Sequence, residues 1–343
     1  MSHKKIMPEI DCTAKCHQQN KQIKPGLSPL YYPDSVHGRA YLERGAQDAA
    51  KCWDCHTKHN IKRQSDLDST VNKRNIPLTC SNCHEDMSVI LKYNIHCEKP
   101  YQDYLQSVHG KALYKAGLLS LAAVCTDCHG IHDIKGVGEP SLIAKNPKTC
   151  GKCHILIFNA YKESIHGGEA LNGNPDVPLC VDCHNEHKII FPSDEEAPTS
   201  WKNVNDTCSA CHARIEIMQK YGVPDDRRES YIQSLHGIAI GYGYEAAANC
   251  TSCHGFHDIR PASDPSSRVN PANLAKTCRQ ENCHPGMPDK ISNSRIHIDI
   301  NQKKSGASYY IQQIFLWIVF ITAVITVIWF VPGFIKKIKY LKR

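Results

Sequence analysis

"CTSCHGFHDI" at 250–259 and "CTDCHGIHDI" at 125–134 are near copies. Each packs two cysteines and two histidines into eight residues. The chain holds 19 cysteines and 20 histidines in 343 residues, far above ordinary usage. Spacing decides whether such cysteines make disulfides, metal sites or covalent cofactor links. Seven sites read C-x-x-C-H: Cys52, Cys55 and His56; Cys80, Cys83 and His84; Cys125, Cys128 and His129; Cys150, Cys153 and His154; Cys180, Cys183 and His184; Cys208, Cys211 and His212; Cys250, Cys253 and His254. Two have longer gaps: Cys12, Cys16 and His17, and Cys278, Cys283 and His284. Cys97 is left over. It reads as a small buried or inert thiol.

C-x-x-C-H is the attachment signature of c-type haem. The thiols bond the two vinyl groups, and the next histidine falls under the iron as proximal ligand. A zinc site needs two C-x-x-C pairs and no histidine after each. Here a histidine follows all nine pairs. The pattern therefore calls for nine covalently bound c-type haems, with zinc or disulfides as the weaker readings.

The motifs repeat as modules. "SVHG" at 35–38, "SVHG" at 107–110, "SIHG" at 164–167 and "SLHG" at 234–237 each precede a C-x-x-C-H-x-x-H box. The boxes start at Cys52, Cys125, Cys180 and Cys250. A plain site follows each, starting at Cys80, Cys150, Cys208 and Cys278. The nonahaem region, 1–304, thus comprises a half-module at 12–17 and four modules at 35–84, 107–154, 164–212 and 234–284.

The box's second histidine lies on the same side of its own haem as the first. It reaches instead for the iron of a neighbour. His59, His132, His187 and His257 are therefore distal candidates, as are the S-x-H-G histidines His37, His109, His166 and His236. His297, in "SRIHID", resembles that series without the glycine. These nine match nine haems, with His3 and His96 in surplus. The alternative is that they are surface or propionate-bonding residues. Met87, Met218 and Met287 read as gap-fillers in the core.

Gly and Pro are scattered throughout, and long amphipathic periods are scarce. The expected fold is mainly α-helix and coil with little sheet, an elongated multihaem domain. Short helices are expected around 36–50, 104–123, 156–165, 209–220 and 228–240. The formal charge of +7 does not point to nucleic acid. Nine haems bring roughly −18 in propionates, partly offset by about +9 from ferric iron.

Residues 305–335 carry no charge and include "IFLWIVFITAVITVIWFVPGF" at 314–334. Such a run spans a bilayer as one helix. Trp317 and Trp329 lie toward its ends, and Lys336, Lys337, Lys339, Lys342 and Arg343 follow. The basic tail, 336–343, is expected in the cytoplasm, with the haem region on the periplasmic face of the inner membrane. "MSHKKIMPEIDC" has no apolar signal region. Export then calls for a misassigned start, a removed signal, or direction by the C-terminal helix and its partners.

Through the haem motifs, the boxes and the S-x-H-G histidines, residues 12–297 resemble the multihaem c-type cytochromes of anaerobic respiratory bacteria. They are similar in particular to membrane-associated subunits of quinol-linked complexes. The resemblance implies electron transfer without substrate chemistry. It implies a quinol-oxidising membrane partner and a periplasmic or outer-surface acceptor. The familiar quinol dehydrogenase cytochromes carry an N-terminal anchor, which argues against direct quinol oxidation by this chain. The alternative is a reductase for a nitrogen or sulfur oxyanion. It requires one open haem, with the variant sites at Cys12 and Cys278 as candidates.

Overall fold

The computed structural model describes residues 28–97, 99–136, 140–288 and 307–341, with Cys12, Lys290 and His297. The described residues are helix, turn and coil, with no strand among them. Two compact units form: 1–204 with 254–267, and 205–253 with 268–343.

Each module repeats the same helices. A 3-10 turn, Pro29–Asp34, leads to α1 (Val36–Leu42), then α2 (Cys52–His56) and α3 (Ile76–His84), with α4 (Met87–Tyr93) after it. The second module has α5 (Pro100–Gln106), α6 (Val108–Tyr114), α7 (Cys125–His129) and α8 (Pro140–Gly151). The third has α9 (Ile155–Lys162), α10 (Ile165–Leu171), α11 (Cys180–His184) and α12 (Val204–His212), followed by α13 (Ile215–Lys220). The fourth has α14 (Arg227–Ile232), α15 (Leu235–Gly241), α16 (Cys250–His254) and α17 (Leu274–Cys278). The long α18 spans Ala307–Leu341.

The helices are shorter than the sequence pattern suggested. The stretch expected around 104–123 is two helices, broken at Ser107. The stretch around 228–240 is broken at Ser234. Both serines sit in extended backbone (ψ 163° and 160°) and cap the helix that follows. A side-chain cap outcompetes helix continuation at serine.

Little aliphatic core holds the modules together. The main cluster is Ile76, Tyr104, Leu113, Ala122 and Val124. Serines are among the most buried residues: Ser107 and Ser200 are 0 % exposed and Ser35 1 %. Each is hydrogen-bonded, as buried polar groups must be. Met218 is buried in α13, as a gap-filler should be. Met87 and Met287 are exposed, contrary to expectation, because each lies at the surface just past a plain site.

Successive modules of the first unit interlock by one repeated bond. The amide of the residue after the capping serine donates to a carbonyl two residues beyond the next box's second histidine. These are Val36 to Ile134 (2.7 Å), Val108 to Ile189 (2.7 Å) and Ile165 to Ile259 (2.9 Å).

Helix α18 contains one apolar stretch, Tyr309–Val331, long enough to cross a bilayer. Nearly every side chain from Ile311 to Val331 is exposed. A buried core helix would hide them.

Candidate haem centres

The S-x-H-G histidine is held by a device that includes a tyrosine five residues upstream. Ser35 Oγ accepts from Gly38 N–H (2.9 Å) and donates to the Tyr32 carbonyl (2.6 Å). Ser107 does the same with Gly110 and Tyr104, and Ser164 with Gly167 and Tyr161. Ser234 Oγ accepts from Gly237 N–H (3.1 Å). The glycine lies against that tyrosine's backbone. A Cβ at Gly110 would stand 2.0 Å from the Tyr104 carbonyl oxygen, and at Gly237 2.1 Å from that of Tyr231.

The tyrosine hydroxyl then ties this helix to the box. Tyr32, Tyr104, Tyr161 and Tyr231 donate to the carbonyls of Ala50 (2.8 Å), Ala123 (2.9 Å), Pro178 (2.7 Å) and Ala248 (3.0 Å). Each acceptor lies two residues before a box's first cysteine. Burial pushes the Tyr32 and Tyr231 hydroxyls up to about 12, so they remain donors. The motif is therefore Y-x-x-S-x-H-G. Sequence reading passed over the tyrosine, although its constant offset was visible in all four copies.

Box helices are capped from within. Asp54, Asp127 and Asp182 accept from the backbone N–H of Lys51 (2.8 Å), Val124 (2.8 Å) and Leu179 (2.6 Å). Ser252 takes this place in the fourth box, accepting from Asn249 N–H. A carboxylate there also suits the helix dipole. The residue after the first box histidine has positive φ in every box: Thr57 66°, Gly130 90°, Asn185 63° and Gly255 77°. This turn sends the second histidine away from its own site.

The plain sites are built differently from one another. In the third module, Cys208 and Cys211 both lie in α12, half-buried and one turn apart, with His212 next. The longer gap of the fourth module breaks this pattern. Helix α17 stops at Cys278, and Cys283 stands exposed in a bend beyond it, its N–H donating to the Gln280 carbonyl (2.9 Å). The His284 N–H reaches back to the Cys278 carbonyl (3.1 Å). The extra residues therefore bulge, while the junction of Cys283 and His284 closes onto the helix end.

The structure brings the histidines together in pairs. The second box histidine meets the preceding module's box: His132 with His56 (ring centres 6.1 Å), His187 with His129 (6.0 Å) and His257 with His184 (5.9 Å). The S-x-H-G histidine meets its own module's plain site: His37 with His84 (6.0 Å), His109 with His154 (6.3 Å) and His236 with His284 (6.0 Å). Every pair joins one proximal and one distal candidate.

Two metal–imidazole bonds of about 2 Å, each with about 1.2 Å from nitrogen to ring centre, set the centres about 6.4 Å apart. The pairs, at 5.9–6.3 Å, come close to that separation, so the residues fit a bis-histidine haem. Burial, with the partner ring's charge second, holds His37 down at about 4. Burial likewise lowers His84, His109, His129, His184, His212, His236 and His257. Neutral imidazole is the form that binds iron. Among the described residues, no three His, Cys, Asp or Glu side chains converge as a zinc site requires.

Other candidates stand as follows. His166 sits in α10 behind the same serine cap, and His212 and His254 end α12 and α16. His297 Nδ1 is 3.0 Å from Ser230 Oγ. His59 and His96 are exposed. Cys16, His17 and His3 lie outside the described residues. Cys97 is half-buried rather than enclosed, and its Sγ lies 3.4 Å from His187 Nδ1. Burial is the main cause that pushes its thiol up.

Within each unit, successive attachment sites meet through their cysteines. In the first unit, Cys12 hydrogen-bonds Cys52, Cys80 bonds Cys125, and Cys150 bonds Cys180. Between these contacts, Cys55 is within electrostatic reach of Cys83, and Cys128 of Cys150. In the second unit, Cys208 bonds Cys250, and Cys253 is within reach of Cys278 and Cys283.

Residues 45–89 match the protein-family model described as a doubled CXXCH motif. They cover the box at Cys52 and the plain site at Cys80. The match supports the class: a multihaem c-type cytochrome, whose chemistry is electron transfer. No curated protein and no solved structure matches the chain.

Proposed function

We propose that this chain is a membrane-anchored nonahaem cytochrome. It carries electrons between a quinol-oxidising membrane partner and an acceptor on the periplasmic or outer face. The observation that carries the reading is the set of six histidine pairs, each one proximal and one distal candidate at 5.9–6.3 Å. The haems, when bound, supply reversible one-electron chemistry.

The chain's own residues do the rest. Paired cysteines tether each group. The paired imidazoles would hold an iron between them and leave no position for substrate. His59, His166 and His297 complete the count of nine distal ligands. The longer loop between Cys278 and Cys283 does not free that site, since His284 has His236 opposite it. This disfavours the reductase reading there. Within each unit, contacts between successive attachment cysteines would bring neighbouring haem edges close. The apolar helix holds the chain at the bilayer, with the basic tail in the cytoplasm.

The test is low-temperature EPR of the oxidised protein with haem counting by pyridine haemochrome. Nine haems, all low-spin, are expected. A high-spin ferric signal near one haem equivalent would expose an open iron and overturn the reading.

A further inference from the structure

The odd cysteine touches a haem ligand. Cys97, between α4 and α5, puts Sγ 3.4 Å from His187 Nδ1. His187 stands opposite His129, with ring centres 6.0 Å apart and planes 20° apart. The proposed function has both rings bind one iron, and the inference rests on that reading.

Metal ligation fixes the direction of the hydrogen bond. An imidazole bound to iron through Nε2 keeps its hydrogen on Nδ1. His187 is then the donor and the Cys97 sulfur the acceptor. The Glu186 carboxylate is 3.9 Å from that nitrogen, beyond hydrogen-bond range.

The equivalent ligand one module on lacks this support. His257 Nδ1 is buried and has no hydrogen-bond partner among the described residues. Two box haems of the same design thus differ behind the distal ring. An acceptor behind a ligating histidine fixes the ring and makes it a stronger donor. A stronger donor favours the ferric state and lowers the potential.

We infer that Cys97 is a positioning residue for His187, and that it lowers the potential of the haem on Cys125, Cys128 and His129 relative to that on Cys180, Cys183 and His184. The one thiol outside the haem-binding pairs would grade the electron path at a single point.

The test compares full-length wild type, Cys97→Ala and Cys97→Ser by spectroelectrochemical titration, with haem counting and EPR on each. In Cys97→Ala, one component of about one-ninth amplitude should move to higher potential. The expected size is up to a tenfold change in its reduction equilibrium, about 59 mV for one electron. Cys97→Ser keeps an acceptor and should titrate like wild type. Superimposable curves for all three, with nine low-spin haems each, would overturn the inference. So would equal haem loss in both variants, which would mark a purely structural thiol. Fewer than nine haems or a high-spin signal in wild type would instead sink the underlying bis-histidine reading.

Discussion

Thr57 follows the box histidine His56 with its backbone at φ 66°. A β-branched residue is strained there. Its Oγ1 is also buried without a hydrogen-bond partner among the described residues. The same position is Gly130 and Gly255 in two other boxes. Thr57→Gly should therefore stabilise the protein by about 1 kcal/mol, after allowing for glycine's extra unfolded-state entropy. The denaturant midpoint of the Soret transition would rise, and a fall would refute the strain. Gly110 presents the opposite case. A Cβ would stand 2.0 Å from the Tyr104 carbonyl oxygen, so the helix would have to lift away. Gly110→Ala should cost about 3 kcal/mol or more. His109 would also leave its place 6.3 Å from His154. EPR should then show one haem, that on Cys150 and Cys153, turned high-spin. A fully low-spin variant of wild-type stability would sink this account of the glycine.

At the scale of elements, two kinds of segment supply distal histidines, and they present them differently. Box segments set ring planes 19°, 20° and 25° from their partners. Serine-capped helices set them 59°, 54° and 41° away. Aligned imidazoles both donate into one iron d orbital and split it from its neighbour. Crossed imidazoles act on two orbitals and leave them closer in energy. Oxidised protein should thus give two low-spin EPR populations, the tilted set having the larger maximum g value. One uniform population would contradict the geometry. Much of this site was legible in the sequence, because covalent attachment and iron ligation demand fixed residue types at fixed offsets. All twelve paired histidines stand out that way. The matching of each distal ring to its iron did not. It depends on amides such as that of Val108 reaching Ile189 in the next module, a contact no local pattern encodes. Tyr104 escaped notice for a related reason. It acts through its backbone carbonyl and its hydroxyl, so its meaning emerges only once Ser107 is known to be a cap.

For the whole molecule, the question is how a haem-binding chain with so small an aliphatic core relates to the membrane. Serines, tyrosines and small apolar groups make up much of what is buried, beside a few larger aliphatic residues such as Ile76 and Leu113. On the proposed reading, thioether and iron–histidine bonds would carry much of the haem region's stability, and none of the proposed ligands lies in α18. The apolar stretch Tyr309–Val331 has 23 residues, about 35 Å as a helix, against about 30 Å of bilayer hydrocarbon. Its exposed side chains give it strong affinity for lipid and little role in holding haem. A chain ending at residue 304 should then keep nine haems and the wild-type low-spin spectrum, and remain in solution without detergent. The full chain should float with liposomes. In spheroplasts, with the outer membrane removed, added protease should reach the haem region and spare the tail from Lys336 onward. A truncated chain that lost haem would show that α18 belongs to the haem-binding fold. A tail cleaved from outside would reverse the orientation, and electrons could not then pass from the membrane to the outer face as proposed.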